Sequence, residues 1–381
     1  MNILICPNAF KGALDALKAA KAISEGFQKS KLKCVTEIVP IADGGDGSLP
    51  VIAQHLNAEL IVAMVSNPLG DLIEANYGFI DREKMAIIEM AEASGIRLVA
   101  EDQLNPWRLT SFGTGELIRH AVERGSEKIY LTLGGSATVD GAIGLLSALG
   151  ALFVTKNGEV LESVDMKIIR EIETIDIQQV IAFFGGIELI ILSDVTNPLL
   201  GKNGAASVFG PQKGLQKEDI PEMEDSLHHL AKLIKRATGV EIEKIEGGGA
   251  AGGIAATLYG LFGATITSGG EQILKWSNFD EKLKVADLLI TGEGEIDEQT
   301  AFGKGPGLVA GKAQKKGVPV IGLCGAVKAN QLEYNNFDAV FPITNMPMRL
   351  SDAMTDTAIN LERTAYQIGN MIFATASSEK L

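Results

Sequence analysis

Six stretches carry residue types at spacings that could do phosphate or metal chemistry. Asp43-Gly44-Gly45-Asp46-Gly47-Ser48 sets two carboxylates around a glycine pair, after the β-rich run 37–41. Paired acids hold a hard cation such as Mg²⁺ through oxygen or water. A solvent-exposed turn has the same composition. Thr132-Leu133-Gly134-Gly135-Ser136-Ala137-Thr138-Val139-Asp140-Gly141 reads as a strand, a small-residue loop and a helix start. Gly134, Gly135 and Ser136 there could bind an anion through backbone N–H groups and a hydroxyl, or serve close helix–sheet packing. Asp194, in Ser193-Asp194-Val195-Thr196-Asn197-Pro198, leaves the apolar run 189–192. It could orient a hydroxyl and take its proton, or cap a turn. Thr291-Gly292-Glu293-Gly294-Glu295-Ile296-Asp297 precedes Gly303-Lys304-Gly305. Acids followed by a lysine suit a metal–phosphate site, or simply a polar loop. Lys11, in Asn8-Ala9-Phe10-Lys11-Gly12, either holds an anionic group or is solvated. Gly247-Gly248-Gly249-Ala250-Ala251-Gly252-Gly253 presses backbone against something, with tight packing the favoured reading.

The elements that must position these groups alternate. Short apolar runs at 3–6, 128–133, 288–290, 318–323 and 339–341 end in glycine, asparagine or acid and lead toward helical patterns. Helices are expected at 13–27 and 352–374. Continuous apolar strands alternating with helices indicate a parallel sheet covered on both faces. Ligands of such sheets bind at the strands' carboxyl ends. The segment 60–90 reads differently, as a hairpin turning at Asn67-Pro68-Leu69-Gly70-Asp71. Strand 153–158 followed by charged helical sequence to about 173 suggests another layer. The fold class expected is α/β with two α/β domains. Residues 1–66 and 284–381 would form a discontinuous Rossmann-like domain, and 67–283 a second α/β domain inserted into it. The strand at 128–133 could join either sheet.

Composition narrows the classes. The 381 residues carry a formal net charge of −14. That argues against a nucleic-acid or anionic-membrane surface but allows a small anionic substrate held by local lysines. Cys6, Cys34 and Cys324 are far apart, and His55, His120, His228 and His229 lack metal-ligand spacing. Neither a disulfide framework nor a zinc site is expected. The N-terminus enters a strand without a basic leader, and the apolar run 180–192 is too short to cross a bilayer. A cytoplasmic location is expected. A homo-oligomer is neither required nor excluded. The loop at 134–138 lacks the Gly-Lys-Ser/Thr ending of a Walker A motif, and no GxGxxG opens the first helix, which weakens a dehydrogenase reading.

Six blocks in register resemble the type 1 glycerate kinase family. They are the stretches beginning Pro40-Ile41-Ala42-Asp43, Ser111-Phe112-Gly113-Thr114, Gly134-Gly135-Ser136, Asp194-Val195-Thr196-Asn197, Phe209-Gly210-Pro211-Gln212-Lys213-Gly214 and Thr291-Gly292-Glu293-Gly294. The resemblance reaches from about residue 3 to beyond 325. It implies ATP-dependent phosphorylation of D-glycerate, typically at the 2-hydroxyl, with the site in the cleft between two α/β domains. On that footing Asp43 and Asp46, with Glu293 or Asp297, would place Mg²⁺. Gly134, Gly135 and Ser136 would bind phosphate, Lys11 and Lys304 would neutralise charge, and Asp194 would act on the acceptor hydroxyl. Two positions depart from the family pattern. Asn8-Ala9 stands where Asp-Ser is usual, and Glu295 where arginine is common. These changes leave room for another short sugar or hydroxy acid as acceptor. They also leave room for an inactive paralogue that binds nucleotide or acid and regulates.

Overall fold

The computed structural model describes residues 1–161, 163–296, 305–327 and 336–378. Its contacts divide the chain into two compact units, Met1–Asp43 with Gly270–Leu381, and Gly44–Gly269.

The first unit is built on five parallel strands in the order β14-β13-β12-β1-β2. They are β1 (Asn2–Pro7), β2 (Val35–Ile38), β12 (Leu288–Ile296), β13 (Val320–Val327) and β14 (Ala339–Pro342). Strand β1 pairs with β2 on one side and β12 on the other, so the strand order reverses at β1/β12. One face carries the helices Ala16–Lys29 and Thr357–Ser378, around Phe27, Ile23, Leu361 and Ile368. The other face is covered by Leu274, Phe279, Leu283 and Val309. Burying each such side chain contributes about 1.5–3 kcal/mol. Asp15 starts the first helix by accepting a hydrogen bond from Lys18 N.

The second unit holds a six-stranded sheet in the order β11-β10-β6-β5-β4-β3. Its strands are β3 (Glu59–Ser66), β4 (Leu72–Ile80), β5 (Met85–Glu89), β6 (Lys128–Thr132), β10 (Glu188–Leu192) and β11 (Thr265–Thr267). Strands β5, β6, β10 and β11 run parallel, whereas β3-β4-β5 is an antiparallel meander. The β3/β4 turn is tied by Asn67, whose Oδ1 accepts from Leu69 N and Asp71 N. The expected hairpin is therefore present, and the strand at 128–132 sits inside this sheet.

Several expectations are corrected. Residues 44–66 belong to the second unit, because β3 pairs with β4 there. Residues 270–283 belong to the first, because Leu274, Phe279 and Leu283 pack under β1 and β12. Among the described residues from 159 to 173 no α-helix forms. A three-stranded antiparallel sheet forms instead, from β7 (Leu152–Thr155), β8 (Val160–Leu161) and β9 (Ile172–Asp176). Thr291–Ile296 is strand rather than loop, paired in register with β13 through Glu293 and Cys324.

Candidate functional site

In the second unit the polar groups gather at the carboxyl ends of β5, β6 and β10. The turn at residues 44–47 lies against them. Gly44 has φ +82°, and a Cβ there would lie 2.9 Å from Leu192 O at the end of β10. A Cβ on Gly134 would lie 2.3 Å from Gly45 Cα. The Gly134 N–H donates to Gly44 O at 3.0 Å. Gly134 therefore works by close approach, and its donor is already used within the protein. Ser136 is nearly buried, and its Oγ receives a hydrogen bond from Lys213 Nζ at 2.8 Å. The same ammonium donates to Thr138 O at 2.6 Å.

Lys213 is fully buried, and burial pushes its pKa down to about 7 against a raising influence from Asp140. Asp140 is buried too. Burial raises its pKa, while donors from Ser111 Oγ, Ser111 N, Gly144 N and Ala142 N oppose the rise. A buried cation and a buried acid thus underlie one loop. The hydroxyls of Thr132 and Thr138 are buried without a hydrogen-bond partner among the described residues.

The glycine tract at 247–253 packs its backbone against residues 138–141 and 195–198. Gly247 N donates to Thr196 O and Gly249 N to Asn197 O, while Gly141 N donates to Gly252 O. A Cβ on Gly252 would lie 2.4 Å from Val139 Cα. Asp194 follows β10, and its Oδ1 accepts a 2.6 Å hydrogen bond from Ser268 Oγ, just beyond β11. Two neighbouring parallel strands therefore fix one carboxylate.

Glu89 ends β5 beside Thr132 of β6. Its two oxygens accept from Gly47 N at 2.8 Å and Leu49 N at 2.7 Å. Burial pushes its pKa up to about 7, against the lowering effect of those two donors. Asp46 is exposed and pairs with Arg97 Nε at 3.1 Å; Arg97 also pairs with Glu92. Asp43 is half-buried. Among the described residues no group of three His, Cys, Asp or Glu side chains is placed to hold a metal.

In the first unit Lys11, Glu293 and Glu295 line one cavity of about 750 Å³. Glu293 and Glu295 are two apart on β12, so both side chains leave the same face. Asn8 Oδ1 accepts from Ala9 N, tightening the loop that follows β1. Gly305 comes within reach of Asn8 Nδ2, and the helix Pro306–Lys315 starts there. Cys324 lies behind, its thiol pushed up to about 12 by burial and by Glu293, which leaves it protonated and inert. Asp297 and Lys304 lie outside the described residues.

The sequence reading quoted Asp140 and Lys213 within longer stretches without giving either a role, and it did not single out Glu89. Glu89 carried a signal. It ends the apolar run Met85-Ala86-Ile87-Ile88 just as Asp194 follows 189–192. Lys213 gave no local signal, because a lysine among Gly, Pro and Gln reads as surface.

An open parallel sheet joined to a second, mixed sheet, with polar loops at the strands' carboxyl ends, defines an α/β protein of the ligand-binding kind. The chain belongs to the glycerate kinase family, which it matches over residues 3–373. It is 40% identical over 369 residues to a glycerate kinase of Halalkalibacterium halodurans, covering 96% of this chain and 97% of that one. It is 37% identical over 370 residues to Escherichia coli glycerate 2-kinase, covering 97% of each. A crystal structure from Salmonella typhimurium, described provisionally as glycerate kinase 2, matches with a TM-score of 0.84 at 38% identity over 99% of both chains. The resemblance read from the six blocks is borne out.

Proposed function

We propose that the protein is a cytoplasmic kinase that transfers the γ-phosphoryl group of ATP to a hydroxyl of D-glycerate, the 2-hydroxyl, giving 2-phosphoglycerate. Alignment with E. coli glycerate 2-kinase along nearly the whole chain is the observation that carries this reading. The arrangement of side chains supports it. Phosphoryl transfer asks mainly for positioning and for charge stabilisation.

Asp194, held by Ser268, orients the acceptor hydroxyl and takes its proton. Ser136 and the backbone of Gly135 face the transferred phosphoryl group, and Lys213 beneath them supplies positive charge. Lys11 and Lys304 neutralise the anionic ends of the substrates. Mg²⁺ commonly binds through one or two carboxylates plus substrate phosphates rather than in an all-protein cage. Asp43 and Asp46, three residues apart in one turn, are the carboxylates we assign to it. The ion, when bound, neutralises charge on the phosphates.

A second reading keeps the kinase chemistry and changes the acid. It is favoured by Asn8, Ala9 and Glu295, which depart from the family pattern. A third is an inactive paralogue. One assay separates all three: ADP release from Mg²⁺–ATP with D-glycerate, L-glycerate, tartronate and related acids. D-Glycerate should give the highest kcat/KM. A different best acid would replace the acceptor, and no acid-dependent ADP from folded protein would end the kinase reading.

A further inference from the structure

The cavity in the first unit opens where β1 meets β12, the point at which the strand order reverses. Its charged side is Lys11 with Glu293 and Glu295. Its floor includes bare backbone. A Cβ on Gly325 would lie 2.7 Å from Gly294 O, and one on Gly294 would lie 3.4 Å from Lys11 N. The remaining wall is apolar and rich in sulfur: Ile343, Met346, Pro347, Met348 and Met354. Met346 is 60% exposed and Leu350 76% exposed at this cavity. Large apolar side chains left in water around a concave site mark a surface that a ligand covers.

We propose that this cavity seats the purine nucleoside of the phosphoryl donor. The inference rests on the kinase reading and deepens it by giving the donor a place. Four observations point the same way. About 750 Å³ is far more than a three-carbon acid needs and lies within the range of nucleoside-sized pockets. Methionine sulfur packs favourably on aromatic rings, and three methionines line the wall. Two carboxylates on one strand face supply acceptors for ribose hydroxyls, as an acid does in dinucleotide-binding folds. Lys11 on the same rim faces the phosphates. A small, doubly polar acid would find few partners on the apolar wall.

The position of the two departures now gains a meaning. Ala9 and Glu295 both line this cavity. A carboxylate at residue 295 suits ribose hydroxyls, and alanine at residue 9 leaves room beside the base. On this placement Ala9 and Glu295 both bear on the donor.

ADP binding, measured by calorimetry without any acid, tests the placement. Met346→Glu and Met348→Glu each put a charge on the apolar wall at exposed or half-exposed positions, where folding tolerates it. Each should weaken ADP about tenfold or more, which is about 1.4 kcal/mol, with an unchanged melting temperature in the absence of ligand. Photolabelling with 8-azido-ATP should modify the segment 343–357. Unaltered ADP affinity in both variants would overturn the placement, as would labelling confined to 134–141. The two readings fail separately. ADP seated here without transfer to any acid would sink the kinase reading and leave the pocket. Glycerate phosphorylation with ADP affinity indifferent to both variants would sink the pocket and leave the kinase.

Discussion

Lys213 Nζ lies 2.8 Å from Ser136 Oγ and 2.6 Å from Thr138 O, fully buried beneath the glycine loop. Both hydrogen-bond acceptors are uncharged, so compensation of the buried ammonium falls to Asp140, a buried acid whose own pKa is raised. A phosphate brought to the loop would complete the compensation, which makes the lysine a positioning residue and a local source of positive potential.

Lys213→Met keeps the length and removes the charge. It relieves a desolvated cation but leaves Ser136 Oγ and Thr138 O without their donor, at about 1–3 kcal/mol per unsatisfied group. The opposed effects should leave stability near neutral pH little changed. Catalytic efficiency should fall about tenfold or more, because the loop loses its anchor and its charge. The pH dependence separates this from a packing role. The folded-state pKa of about 7 lies below the ordinary 10.5, so between these values the unfolded chain binds the extra proton and stability rises with pH. Denaturant titrations from pH 7 to 10.5 should show that rise in the wild type and its loss in the variant. Parallel profiles would remove the ammonium from the account.

Glu89 should show the opposite slope. Its folded pKa of about 7 lies above the ordinary carboxyl value of 4.5. Its favourable contribution is therefore complete below about pH 4.5 and is lost as pH rises through about 7. Relative to Glu89→Gln, the wild type should lose stability across that window when melted in chelator-containing buffers. A constant difference between the two proteins would show that the buried carboxyl does not titrate there.

Much of this was legible in the sequence, and the rest was hidden for physical reasons. Gly134, Gly135, Ser136 and Asp194 stand out locally, because a strand that stops at a small or acidic residue points to a sheet's carboxyl end. The hairpin was legible because Asn67 and Asp71 bracket its turn. The strand at 291–296 was not, since Gly292, Glu293 and Gly294 have low β-propensity. Pairing with Leu323 and Cys324 overrides it. The unit boundary was misplaced because β3 pairs forward with β4, and pairing is invisible in local composition. Lys213 was hidden because its partners lie about 75 residues upstream.

Asp46 and Arg97 form an exposed pair, which is worth little to stability, about 0–1 kcal/mol. If Asp46 holds Mg²⁺, the guanidinium competes with the ion. Arg97→Met should then lower the Mg²⁺ concentration for half-maximal activity, and Asp46→Asn should raise it severalfold, with melting temperatures nearly unchanged. Movement in the same direction for both variants would take Asp46 out of the metal site.

Asp194 gives the sharpest test of mechanism. Ser268 Oγ holds its Oδ1 at 2.6 Å, so the carboxylate is oriented before any substrate arrives. A group that takes the acceptor's proton acts mainly in the transition state, and its removal should lower kcat more than it raises KM. General-base assistance is typically worth about 10²–10⁴-fold. Asp194→Asn keeps the shape and an oxygen that can still accept from Ser268, so the fold should survive. Ser268→Ala keeps the base but frees its orientation, and should cost less than Asp194→Asn. A carboxylate that merely capped the turn after β10 would behave otherwise. Its replacement would cost about 1 kcal/mol of stability and leave turnover nearly intact. Steady-state kinetics and a melting curve on the two variants distinguish these cases. A kcat for Asp194→Asn within about threefold of wild type would remove Asp194 from the catalytic group.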